Sequence, residues 1–144
     1  MTSAERVLVV LLRVVGLTEL LAIVPIFMPH CWMDAIHAAL GLGPLPELPI
    51  IFYLTRSLSA MYAIQGGLLL LVAQDVRRHA ALVTYFGLAT LAFGGVSLWI
   101  DAAAGLPWFW VAGEGPFALA FGCALLVLRR GIAAPGAAGG GKVG

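Results

Sequence analysis

Four stretches of this chain stay apolar long enough to cross a bilayer. They are residues 7–28 (VLVVLLRVVGLTELLAIVPIFM), 50–73 (IIFYLTRSLSAMYAIQGGLLLLVA), 80–100 (AALVTYFGLATLAFGGVSLWI) and 107–128 (PWFWVAGEGPFALAFGCALLVL). A helix needs about 20 such residues to cross the hydrocarbon core, and the pattern predicts an all-α fold, a four-transmembrane-helix bundle. A fifth element is expected between the first two spans. In PHCWMDAIHAAL, residues 29–40, the residues His30, Asp34 and His37 fall on one face of a helix and Trp32, Met33, Ile36 and Leu40 on another. Pro29 suits a first-turn position. This reads as a short amphipathic helix, 30–40, lying in the membrane interface.

Composition agrees. Of 144 residues, 62% are hydrophobic and 10% charged, with a mean hydropathy of +1.03, against about 45–50% and about 25% in soluble domains. A chain this short has too little interior to hide that much apolar surface from water, so lipid must cover it. The net charge of +1 offers no basic surface for nucleic acid. Residues 1–130 are expected to form a single membrane domain, and 131–144, rich in Gly and Ala, a flexible tail. The first run is too long for a signal-peptide core and lacks a small-residue cleavage site, so it is expected to be retained as a helix.

Orientation follows from where Lys and Arg fall. Arg6 precedes the first span, Arg77 and Arg78 lie between the second and third, and Arg129, Arg130 and Lys142 follow the fourth. The connections 29–49 and 101–106 carry neither residue; they hold Asp34, Glu47 and Asp101. Both termini are therefore expected in the cytoplasm of a bacterial inner membrane. Trp32, Trp99, Trp108 and Trp110 gather at the outer boundary as an aromatic belt.

The charges inside the spans carry the candidate chemistry. The first span holds fifteen Leu, Ile, Val or Phe residues, worth together about −7 kcal/mol of insertion free energy, while Arg13 and Glu19 cost about 2.5–3.5 kcal/mol each. Insertion is only narrowly favourable, so these groups should face protein or water. At about 1.5 Å per residue, Glu19, Arg56 and Glu114 fall in one slab of the outer half. They form an expected polar cluster in which Arg56 neutralises Glu19, with Glu114 as a second acid. Arg13, Gln65 and Tyr85 form an inner polar level. The angles strain this picture: Arg56 and Gln65 lie on opposite sides of their helix, about 180° apart. A bend at Gly16 or Pro25 would relieve it.

Three further features matter. Gly113, Gly115 and Pro116 surround Glu114, so the last helix is either kinked there or begins only at Pro116. His30, Asp34 and His37 are a metal-site alternative, set against a plain wet face of an interfacial helix. Small residues recur every four positions at Ser59, Ala63 and Gly67, at Thr90 and Gly94, and at Ala118 and Gly122, a spacing that lets backbones approach in lipid. Cys31 and Cys123 are read as free. No GxSxG, HExxH or P-loop occurs, and no catalytic residue is assigned.

The span 5–130 resembles the small four-helix bacterial membrane proteins of the DoxX-like group, in size, in topology and in the polar outer-half residues of GLTELLAIVPIF, LTRSLSAMYAIQGGLLL and PWFWVAGEGP. The resemblance implies a compact bundle, sometimes linked with membrane quinone oxidoreductases, and carries over no catalytic residue. The role expected is a non-enzymatic accessory or packing subunit that binds membrane lipid or a membrane partner, another copy included. Two alternatives stand beside it. One is a small carrier or proton-linked binding protein with an outward-facing polar pocket. The other is a quinone-linked redox subunit using Tyr62, Tyr85 or Trp99. No cofactor is assigned; quinone, through the resemblance, or lipid is the candidate ligand.

Overall fold

The computed structural model describes residues 1–132; the tail expected to be flexible lies almost wholly outside them. Among them six helices follow in order: α1 (Ser3–Leu20), α2 (Ile23–Phe27), α3 (His30–Ala39), α4 (Pro49–Val72), α5 (Ala80–Ala103) and α6 (Trp108–Arg130). The structure is 79% helical, and no strand occurs among the described residues. Among the described residues three segments are long and apolar enough to cross a membrane: Ser3–Phe27, which joins α1 and α2, then α5 and α6. α4 has 24 residues but interrupts its apolar course with Arg56 and Gln65. α3 is the short amphipathic helix expected after the first span, with Pro29 at its N-cap.

Pro25 explains why the first span is two helices. It has no N–H to give the Leu21 carbonyl, and its ring crowds that carbonyl. The Leu21 carbonyl instead accepts from the Val24 N–H at 3.0 Å, a tighter turn, and α1 ends at Leu20. Pro116 acts less severely. α6 runs through it without a break from Trp108, so the alternative start at Pro116 is not adopted. α5 extends three residues past the expected boundary at 100, which puts Asp101 inside a helix and not in a connection.

Contacts divide the chain into two compact units: Met1–Leu11 with the chain from Val72 onward, and Leu12–Leu71. α1 passes from one to the other between Leu11 and Leu12.

In the first unit, α5 and α6 form an antiparallel pair joined through Gly105, whose φ of +68° suits a residue without a Cβ. Four glycines set their spacing. A Cβ on Gly94 would come within 3.0 Å of the Gly115 carbonyl oxygen, and one on Gly122 within 2.8 Å of the Gly87 carbonyl oxygen. The glycines stand seven residues apart on each helix, so they face one another twice along a single seam. Val83 and Leu125 are fully buried. The N-terminus closes on this unit through a capping box: the Thr2 N–H donates to Glu5 Oε2 at 2.8 Å, and the Glu5 N–H donates to Thr2 Oγ1 at 3.2 Å.

In the second unit, α1 meets α4 where Gly16 faces Gly66. A Cβ on Gly66 would lie 2.6 Å from the Gly16 carbonyl oxygen and 2.7 Å from the Leu20 nitrogen. The expected repeat Ser59–Ala63–Gly67 is therefore displaced by one residue at its end: Gly67 has nothing within 4 Å of its Cβ position, and its neighbour Gly66 makes the contact. On the opposite side of the first span, within this unit, Val14, Leu17, Leu21 and Val24 form an exposed apolar stripe, recurring every three or four residues.

Candidate functional site

Glu19 sits one turn after Gly16, beside the closest approach of α1 and α4. The glycine contact brings the backbones near enough for side chains to reach across. Gln65 Nε2 donates to Glu19 Oε1 at 3.3 Å. The other carboxylate oxygen, Oε2, is buried with no partner among the described residues. Glu19 as a whole is half-buried.

This corrects the expected pairing of Glu19 with Arg56. No ion pair joins them. Gln65 occupies the face of α4 turned toward α1, and Arg56, nine residues earlier, lies on the other side of the helix. Arg56 is exposed, with its guanidinium carbon 5.7 Å from the centre of the Phe52 ring. Phe52 lies one turn nearer the α4 N-terminus, so the Arg56 side chain reaches back along its own helix toward that end. Glu114 is satisfied locally: Trp110 Nε1 donates to its Oε2 at 2.9 Å, within α6. Of the expected inner polar level, Gln65 serves Glu19 and Arg13, in the same unit, is exposed; Tyr85, in the other unit, is 65% exposed with its ring against Phe86.

The His/Asp face of α3 is turned to the loop that follows it. His37 Nδ1 lies 2.8 Å from the Gly43 carbonyl oxygen, and Asp34 Oδ1 accepts the Leu45 N–H at 2.7 Å. His30 Nδ1 is 3.8 Å from Glu47 Oε1. All three side chains turn to the segment 41–48, which folds back along α3 through Gly41 and Gly43 at φ of +76° and +80°. The shared face stitches a loop. Among the described residues no group of three or more His, Cys, Asp or Glu side chains is placed to hold a metal ion. The fold-back leaves a shallow open cleft of about 560 Å³ lined by His30, Glu47, Pro49 and Phe52, with the His30 and Phe52 ring centroids 4.7 Å apart.

Two acids outside the expected cluster prove more deeply buried than any in it. Glu5 is fully buried, and Arg77 binds both its oxygens, Nε to Oε1 at 2.7 Å and Nη2 to Oε2 at 2.9 Å. The hydrogen bond to Glu5 pushes the Arg77 guanidinium further above its ordinary basic value. The signal was present in the sequence as Thr2-x-x-Glu5 ahead of an apolar run, the capping-box spacing. Asp101 is 5% exposed and its Oδ2 is buried without a partner among the described residues. Its position near the end of an apolar run reads in the sequence as part of a connection, whereas it lies inside α5.

The same unit gathers the cationic ends of the chain. Glu5 of α1 holds Arg77 of the α4–α5 connection. A Cβ on Gly131, just past α6, would meet the Ala4 side chain at 2.7 Å. Arg129 Nε donates to Thr84 Oγ1 at 3.1 Å, across from α6 to the first turns of α5.

No known protein family, curated protein or solved structure matches the chain.

Proposed function

We propose that this is a multi-pass membrane protein of non-enzymatic, accessory type, whose intramembrane polar groups hold helices together. In this reading all four long elements cross the bilayer: α1 with α2, α4, α5 and α6. α4 is the least apolar, yet each of its two strongly polar side chains has a solution compatible with lipid: Gln65 bonds Glu19, and Arg56 snorkels over Phe52. Both termini lie in the cytoplasm of a bacterial inner membrane. The convergence of Glu5, Arg77 and Gly131 at one end of their unit supports that orientation, because it gathers Arg6, Arg77, Arg78 and Arg129 where positively charged ends belong. A relationship to the DoxX-like group remains part of this proposal, resting on size and topology.

The observation that carries the accessory reading is the Gln65–Glu19 hydrogen bond beside the Gly16–Gly66 approach. A polar group locked to a neighbouring helix at a close backbone contact is a packing device. The decisive experiment compares Glu19→Gln with Glu19→Leu for folded yield and for any ion- or proton-coupled flux in reconstituted vesicles. An amide oxygen still accepts from Gln65, so packing predicts near-normal yield for Glu19→Gln and a reduced yield for Glu19→Leu. The reading is wrong if wild-type vesicles carry a flux that Glu19→Gln abolishes at normal yield; a proton-linked carrier then takes its place.

A further inference from the structure

Arg56 and the cleft above it are not explained by helix packing. Arg56 makes no ion pair with any carboxylate among the described residues, and it is exposed. Its guanidinium reaches Phe52, and Phe52 is also a wall of the cleft that holds His30 and Glu47. The groups stand in an order set by α4. Arg56 lies seven residues inside Pro49, about 10 Å along the axis, while Glu47 precedes the helix and is 84% exposed at its side chain. The Arg56 backbone therefore lies deepest, its guanidinium is carried back beside the Phe52 ring, and a carboxylate beside an imidazole lies outermost.

We infer that Arg56 and the His30–Glu47 cleft hold the zwitterionic headgroup of a phosphoethanolamine lipid, with the phosphate on Arg56 and the primary ammonium on Glu47. The polarity of the two sites matches that of the headgroup. In a phospholipid the phosphate sits nearer the acyl chains and the amine points to water, the same order as Arg56 and Glu47. Guanidinium suits phosphate because its planar donors bind two oxygens at once. A primary ammonium has three donors, and the Glu47 carboxylate and the His30 ring supply acceptors. A quaternary amine has none to give, and one phenyl ring does not make the aromatic cage that would hold it. The inference deepens the accessory reading by naming the lipid chemistry, and it rests on the part of that reading in which α4 crosses the membrane.

The test uses the full chain in nanodiscs containing equal parts of phosphatidylethanolamine, phosphatidylglycerol and phosphatidylcholine with matched acyl chains, and counts the lipids retained on release by native mass spectrometry. The ethanolamine lipid is expected to be enriched roughly tenfold over the other two, the worth of one charge-assisted contact. Glu47→Gln should remove the preference over phosphatidylglycerol while lipid is still retained, and Arg56→Gln should reduce retention of all three. Equal retention of the three lipids by the wild type, or an unchanged preference in Glu47→Gln, overturns the assignment. Free O-phosphoethanolamine is titrated into delipidated protein; binding as tight as that of the lipid would assign the site to a soluble compound and overturn the lipid assignment. Failure of the membrane reading is seen separately, by labelling Met61→Cys with a membrane-impermeant maleimide in a Cys31→Ser, Cys123→Ser background: strong labelling means that α4 does not cross.

Discussion

Arg77 grips Glu5 with two parallel hydrogen bonds, Nε to Oε1 at 2.7 Å and Nη2 to Oε2 at 2.9 Å, and so ties the α4–α5 connection to the first turn of α1. The carboxylate is fully buried while the guanidinium is half exposed. Arg77→Lys keeps the charge but loses the fork, and Arg77→Ala leaves a buried acid without its cation. The order of thermal stability in detergent is expected to be wild type, then Arg77→Lys, then Arg77→Ala. Because Arg77 is pushed upward, its contribution is complete below the ordinary guanidinium range and is lost only as pH rises through the higher folded value. Between pH 6 and pH 9, by this account, the Arg77 charge adds no slope to the stability profile; a melting series over that interval checks it.

Two adjacent glycines give a sharper contrast. A Cβ on Gly66 would press on the Gly16 carbonyl oxygen at 2.6 Å, whereas one on Gly67 meets nothing within 4 Å. Gly66→Ala is expected to destabilise by about 1–3 kcal/mol, the usual cost of overpacking. Gly67→Ala should be neutral or stabilise by up to about 1 kcal/mol through helix propensity. Unfolding of each variant in mixed micelles measures the pair. Equal effects would mean that α1 and α4 do not meet at Gly16.

Glu19 and Gln65 should be coupled. Gln65→Leu strips the carboxylate of its donor and leaves a second acceptor unpaired beside the one already so. Glu19→Leu together with Gln65→Leu removes both polar groups. A double-mutant cycle is expected to give a coupling of about 0.6 kcal/mol, up to about 1.7, as for other interhelical hydrogen bonds in membranes. A cycle of Glu19 with Arg56 should give none, since Arg56 lies over Phe52.

Asp34 holds the fold-back after α3 through the Leu45 N–H at 2.7 Å. Asp34→Ala is expected to release that amide, seen as faster hydrogen exchange at Leu45, at a cost of about 1.5–3 kcal/mol for a bond to a charged group. Because His37 and Asp34 are spent on loop backbone atoms, adding zinc should leave the melting temperature of the wild type unchanged.

The sequence alone determined the class of the protein. Long apolar runs and a mean hydropathy of +1.03 call for helices in lipid, since a backbone in hydrocarbon must satisfy its own hydrogen bonds. It also determined the amphipathic helix after Pro29, and it offered Gly16 or Pro25 as the bend in the first span, of which the structure uses Pro25, because these depend on neighbours within a turn or two. The Thr2-x-x-Glu5 cap was equally local and equally legible. What only the tertiary structure decided was which faces meet. Depth along a helix is read from residue number, and it placed Glu19 near the level of Arg56; rotation about the axis decides partnership, and it gave Glu19 to Gln65 and Arg56 to Phe52. The same one-residue rotation chose Gly66 over Gly67. Each residue turns a helix by about 100° and advances it by only about 1.5 Å, so an argument good to a few ångströms in depth still leaves the facing side chain open until the neighbouring backbone is in place.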